Sequence, residues 1–267
     1  MATFIHPTAI VHPSAVLGED VEIGPHVIIE EDVRIGRGTA LMAHAYIGRH
    51  TTLGEENKVH IGAVLGHAPQ DISTTGKELA HLIVGNRNVF REYCTVHRGS
   101  HEGNRTTIGD DCFLMTHCHV AHDCRVGNRA IIAGGALLAG HIHVEDRAFI
   151  SGNATIHQFC RIGTLCMISG LARVDQDAPP YFMIKGDSAV YGLNKVGLAR
   201  AGITAEEKEQ IRGAYKILYR RGYPLEEALR RIEDEFPQSP HVKHLVEFLR
   251  ACRRNFCRHH RRGSPKE

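Results

Sequence analysis

What the 267-residue sequence lacks bounds it first. It has no charge imbalance: 32 Lys and Arg stand against 30 Asp and Glu, a formal net charge of +2. No global nucleic-acid signature follows, and basic residues gather only at the end, RACRRNFCRHHRRGSPKE. No apolar run approaches the roughly 18 consecutive residues of a membrane span, so no stable membrane insertion is expected. The first residues, MATFIHPTAIVHPSAV, contain neither a basic n-region nor an apolar h-region, so no secretory leader is expected. These absences point to a soluble, cytoplasmic protein, long enough for one large domain or two modest ones.

What is present is a period of six. From Ile108 to Val174 an aliphatic residue recurs at every sixth position, with a small or thin residue four places after each. Neither a helix nor an isolated strand repeats every six residues. Hexapeptide periodicity marks a parallel β-helix, a prism in which three units make one coil. Residues 18 apart then share a face on neighbouring coils, about 4.8 Å from one another.

The same period opens at Ile5 and runs to Leu65, breaks at Gly66 to Leu82, resumes at Val84, Phe90 and Val96, and breaks again near Ser100 to Thr107. Units number 11, 3 and 12 in the three blocks, nearly nine coils. Both interruptions are expected to project as loops, and loops held by a regular solenoid commonly carry function. Glycines directly after the aliphatic residue, as at Gly18, Gly24, Gly36 and Gly48, are expected to supply the φ values of tight corners. Eight cysteines raise a zinc or disulfide reading. Six of them (Cys94, Cys112, Cys118, Cys124, Cys160, Cys166) fall at the thin inward position, where a free thiol is a small apolar filler. Cys112, Cys118 and Cys124 are spaced by six, not by the short steps of zinc knuckles. Reduced thiols and a reducing compartment are expected, with no metal and no cofactor.

Counting by 18 gives the candidate site. From His122 the count reaches Gly140, beside His141, and then Gln158, beside His157. His119, His122, Asp123, Gly140, His141, His157 and Gln158 are therefore expected along one edge of the prism, although a single histidine on a solenoid surface is usually only solvated.

Beyond Ala178 two prolines are expected to end the repeat. Thr204 and Glu207 then form a capping box for a helix reaching about Arg221. A second helix follows Pro224 as far as Pro237, and a third opens at Ser239-Pro240 and runs to about Phe256, and both Cys252 and Cys257 are expected in this last helix. The tail beyond Arg258 is expected to lack order. The expected division is residues 1–190 for the β-helix and 191–267 for a small helical domain with its basic tail.

Three stretches carry a family resemblance: HVAHDCRVGN, LAGHIHVEDRAFISGNATIHQFCRIG, and DQDAPPY with GLNKVGL, supported by GHAPQD and TVHRG. Together they resemble the acyl-ACP–UDP-N-acetylglucosamine O-acyltransferases, over nearly the whole chain. The resemblance implies a left-handed β-helix assembled as a homotrimer, with each site between two subunits. It implies transfer of a 3-hydroxyacyl chain from acyl carrier protein to the 3-hydroxyl of UDP-N-acetylglucosamine, the step that opens lipid A synthesis. By the same resemblance His122 is the base, Asp123 its partner, and Gly140 the oxyanion donor. His119, His141, His157 and Gln158 would contact nucleotide sugar or acyl chain, Gln70 and Asp71 would hold the sugar, and Asn194 and Arg200 would face the donor. Gly170 would set acyl depth. The sequence departs from the family at Ser73, where a lysine is expected, and at Ala199 and Ala201 around Arg200. The related N-acyltransferases carry a domain ahead of the β-helix, whereas here the repeat starts at Ile5. Two further readings are a zinc carbonic anhydrase built on His117 and His122, and a β-helix serving only as an assembly scaffold.

Overall fold

Twenty-six short strands, from Phe4–Ile5 to Arg173–Val174, wind into a left-handed parallel β-helix, one strand for each hexapeptide. The computed structural model describes residues 3–252 and 255–259. Three sheets form the faces of the prism. The first face begins at Phe4–Ile5, the second at Ile10–Val11 and the third at Val16–Leu17, each strand pairing with the strand three places on. In the regular coils His119 pairs with Leu137, and Leu137 with Thr155. Across the first insertion the pairing stretches to Val59 with Phe90, and across the second to Thr95 with His119.

Each coil hands its backbone donors to the next: His119 N–H donates to Ala136 O at 2.9 Å and Ala121 N–H to Leu138 O at 3.0 Å. With the ladder satisfying the main chain, the interior needs only apolar side chains. Val120, Cys124, Val126, Ala130, Ile132 and Ala136 are all buried, alternating one bulky and one thin filler around the coil. All six inward cysteines are buried free thiols, and burial pushes the Cys124 thiol up to about 12.

The corners differ from expectation. In the regular corners from Asp20 onward the left-handed residue is not the glycine after the aliphatic residue but the one two further on, as at Asp20 (φ 58°), His26 (φ 57°), His50 (φ 58°) and Asp123 (φ 59°). Gly18, Gly24, Gly36 and Gly48 are required for a different reason. A Cβ on Gly48 would stand 2.3 Å from Gly66 O, and one on Gly36 2.5 Å from Gly54 C, so these glycines let successive coils approach.

The insertions are shorter than the pattern suggested, because strands reach into them. Val64–His67 and His81–Val84 flank the first loop, residues 68–80. Thr95–His97 and Arg105–Ile108 flank the second, residues 98–104. The prolines do not end the stack. Strand Phe182–Lys185 pairs parallel with Met167–Ile168, and Ala189–Leu193 folds back on it antiparallel.

Helix α1 (Lys195–Arg200), absent from the sequence reading, is followed by α2 (Ala205–Arg220), α3 (Leu225–Glu235) and α4 (Pro240–Arg250). Thr204 and Glu207 form the expected reciprocal cap of α2. Helix α4 stops at Arg250, short of Phe256, since the chain turns back to the prism: Cys257 N–H donates to Asp177 O at 2.8 Å. Cys252 and Cys257 therefore lie outside the helix, and Arg258–His259 adds a strand against Ala189–Val190. The tail from residue 260 lies outside the described residues. Polar contacts fasten α4 to the prism. His244 Nε2 lies 2.8 Å from Glu145 Oε2, and the Arg161 guanidinium sits 4.2 Å above the Phe248 ring. Among the described residues no helix is long and apolar enough to cross a membrane.

Candidate active site

One corner of the prism, where the second face turns into the third, collects the chemistry. His122 and Asp123 form that corner between strands His119–Val120 and Arg125–Val126. Gly140 and His141 form it one coil on, and Gln158 and Phe159 two coils on. Both insertions leave the prism at this same corner, one and two coils earlier. A surface otherwise lined by corners thus gains two loops directly beside His122.

His122 Nδ1 lies 2.8 Å from Asp123 Oδ2. Burial pushes the Asp123 carboxyl up, but hydrogen bonds from Ser100 and His122 outweigh it and hold it below the ordinary carboxylate range. An ionised Asp123 can only accept, so the proton of the neutral imidazole sits on Nδ1 and the lone pair on Nε2. That Nε2 faces Asp71 of the first loop, whose Oδ2 is 4.0 Å away. The Ser73 N–H and hydroxyl donate to Asp71 Oδ1 at 2.9 and 2.8 Å, the main reason its carboxyl stands below the usual range. Ser73, a departure in the sequence, thus holds the Asp71 carboxylate in place.

Gly140 lies directly against the His122 ring. A Cβ there would stand 2.6 Å from Cε1 and 2.7 Å from Nε2, and only glycine leaves that room. Its N–H finds no acceptor among the described residues. His141 closes the other side, edge-on to His122 at 5.2 Å between ring centroids and stacked on Phe159 at 4.6 Å.

His119 lies on the second face itself, its Nδ1 2.7 Å from Thr95 Oγ1. Burial, then the neighbouring His122, lowers its pKa. It stands edge-on to His97, at 4.8 Å, a residue missed by counting within the regular coils. Burial and the surrounding histidines push His97 down to about 3, so it stays neutral.

Other expected residues lie further out. Gln70 is exposed beside Asp71, and His157 and Gln158 are exposed two coils beyond His122. Asn194 and Arg200 are not brought to His122. They border a cavity of about 910 Å³ on the first face, with an apolar floor including Phe149, Leu165 and Met167, and Arg129 and Arg147 at its rim. The Asn194 side chain is engaged there, accepting from Gly197 N–H and donating to Leu165 O, both at 2.9 Å. Gly170 occupies the corner between the first and second faces.

Histidine and carboxylate atoms of His122, Asp123 and His141 lie within 4.8 Å of one another, close enough to approach a shared cation. The zinc pair of the alternative reading does not form: His117 belongs to a different corner, stacked on Tyr93 at 5.4 Å with Nδ1 against Thr116 Oγ1.

Comparison with known proteins gives a consistent result. Residues 177–257 match the family described as Udp N-acetylglucosamine O-acyltransferase, domain 2. Residues 105–140 match the bacterial transferase hexapeptide, six repeats. An acyl-[acyl-carrier-protein]–UDP-N-acetylglucosamine O-acyltransferase of Myxococcus xanthus is 46% identical over 256 residues, covering 95% of this chain and 99% of its own. The solved UDP-N-acetylglucosamine acyltransferase of Francisella novicida superposes with a TM-score of 0.92 at 34% identity, covering 96% of this chain and 94% of that one. The corresponding enzyme of Bacteroides fragilis gives 0.91 at 39% identity, over 96% and 100% of the two chains.

Proposed function

The chain belongs to the acyl-[acyl-carrier-protein]–UDP-N-acetylglucosamine O-acyltransferase family, and from that membership we infer how its own residues carry the reaction. It is an enzyme that moves an acyl group from acyl carrier protein to an oxygen of UDP-N-acetylglucosamine. We propose the finer reading that the acyl chain is 3-hydroxylated, that the acceptor is the glucosamine 3-hydroxyl, and that the step serves lipid A synthesis in the cytoplasm.

His122 is the general base. Its Nε2 takes the proton of the sugar hydroxyl as that oxygen attacks the thioester carbonyl. The tetrahedral oxyanion accepts the free Gly140 N–H, which needs no reorganisation to receive it. Collapse breaks the carbon–sulfur bond, and the imidazolium returns its proton to the leaving thiolate. Asp123 fixes the tautomer that makes this possible, and Asp71 and Gln70 grip the sugar from the first loop. His119, His141, His157 and Gln158 line the path of nucleotide sugar and acyl chain.

The donor side lies elsewhere on the chain. Asn194 and Arg200 border a cavity on the first face, away from the corner that bears His122. A site uniting them draws on two copies, which supports a homotrimer with one site at each junction. The observation that carries the reading is the His122–Asp123 pair set against a Cβ-free Gly140. Incubating the purified protein with UDP-N-acetylglucosamine and a panel of acyl carrier proteins, with the product read by mass, tests it. The expected product is one acyl group heavier than the acceptor, with the ester on the 3-oxygen; no acylated sugar nucleotide from any donor contradicts the reading.

A further inference from the structure

The second insertion, residues 98–104, leaves the prism one coil before the His122 turn, at the same corner. Its Ser100 is 1% exposed, an unusual place for a loop hydroxyl, and is spent wholly on Asp123. Ser100 Oγ donates to Asp123 Oδ2 at 2.6 Å, and Ser100 N–H to Oδ1 at 3.2 Å. In the strand that follows, Thr106 Oγ1 accepts the Asp123 N–H at 2.8 Å. Asp123 is thus gripped from both ends of the insertion, at its carboxylate and at its backbone.

The grip leaves the carboxylate few directions. Ser100 occupies both oxygens, and Oδ2 also receives His122 Nδ1 at 2.8 Å, with His141 Nε2 3.6 Å away. A carboxylate turned by even a modest angle would lose the imidazole or tilt it away from Gly140. Hydroxyl–carboxylate bonds this short are among the stronger ones available to a side chain. They also draw charge off Asp123, so it steadies the imidazolium less than a bare carboxylate would.

We propose that Ser100 is a positioning residue of the reaction: acting through Asp123, it sets the orientation and basicity of His122, and the 98–104 insertion serves to bring it there. The proposal rests on His122 being the base. A serine that merely tied its loop to the coil would hold the same bonds but leave the chemistry of His122 untouched.

The test is a set of variants in the full-length protein, assayed with acyl carrier protein thioester and UDP-N-acetylglucosamine across pH. Ser100→Ala should fold, since it removes one oxygen, and should lower kcat about tenfold with both KM values nearly unchanged. Its acid limb should move to higher pH, as Asp123 regains charge that favours the imidazolium. Ser100→Thr, which keeps the hydroxyl, should restore rate and profile. In an Asp123→Ala background, Ser100→Ala should cost nothing more. The proposal is overturned if Ser100→Ala keeps the parent rate and pH profile, if its loss adds in full to that of Asp123→Ala, or if the acid limb stays fixed while kcat falls. If Ser100→Ala does not fold, Ser100→Cys, a weaker donor, is read by the same profile. His122→Ala in the same series separates the two claims. An active His122→Ala removes the base itself, whereas an inactive one beside a normal Ser100→Ala removes only the role of Ser100.

Discussion

A Cβ on Gly140 would stand 2.6 Å from Cε1 of His122, so the imidazole keeps its place only because residue 140 has no side chain. Gly140→Ala should therefore leave the coils intact but push the ring off its bond to Asp123. Turnover is expected to fall by about tenfold or more. The check is kcat for a Gly140→Ala protein whose circular dichroism and melting midpoint show it folded; unchanged kcat would mean the ring is not held as described.

Chain length is the second expectation. Gly170 is not in the left-handed region; that corner's left-handed residue is Leu171, with φ 59°. A Cβ on Gly170 meets only Gly152 O, at the ordinary contact distance of 3.4 Å. The backbone thus tolerates a side chain there, and a glycine is not needed to turn the corner. If Gly170 bounds the acyl groove, Gly170→Met closes off about four methylenes, worth up to about 3 kcal/mol in transition-state binding. The ratio of kcat/KM for long and short donors should move toward the short donor by up to about 10²-fold. A folded variant with an unmoved ratio makes Gly170 a corner residue only.

Much of this was legible in the sequence. The period of six survives because each bulky and thin residue must fill the same narrow prism, so 26 units gave 26 strands. The shared corner could also have been counted. Eleven strands precede the first insertion, fourteen the second, and seventeen the His122 turn, so each falls after the second strand of a coil. Other features could not be read. The grip of Ser100 on Asp123 and of Ser73 on Asp71 depends on loop paths that no period encodes. Helix α1 is six residues long and contains Gly197, too short and too weak to show a helical pattern. Strand Ala189–Leu193 pairs antiparallel, outside the register the repeat imposes.

A shared site makes a third prediction. His122→Ala and Arg200→Ala subunits, each inactive alone, should recover activity when refolded or expressed together. Random mixing into trimers leaves about a quarter of the sites with both residues intact. Recovery to that order supports a site made by two subunits. No recovery in trimers shown to contain both subunits contradicts it.

The junction of α4 with the prism should respond to pH. Hydrogen bonding to Glu145 raises the pKa of His244 above the ordinary imidazole range. Burial alone would raise Glu145, but bonds from His244 and Thr164 bring it below the usual carboxylate range. A raised histidine stabilises fully below its unfolded pKa of about 6.5 and loses that contribution as pH rises through the folded value. A lowered glutamate stabilises above its unfolded value of about 4.3 and loses it as pH falls through the folded one. The melting midpoint of the parent should thus decline on both sides of a mildly acidic plateau between about pH 4.3 and 6.5. His244→Gln should flatten the alkaline decline; an unaltered slope would show that the pair contributes nothing there.

The most direct test of the account is the turnover of His122→Ala with acyl carrier protein thioester and UDP-N-acetylglucosamine. The ring lies at a corner and fills no part of the core, so the variant should fold and assemble as the parent does. Its kcat should fall by about 10²-fold or more, the usual contribution of a positioned base. A folded His122→Ala protein that turns over at the parent rate would contradict the central claim that this imidazole takes the sugar proton.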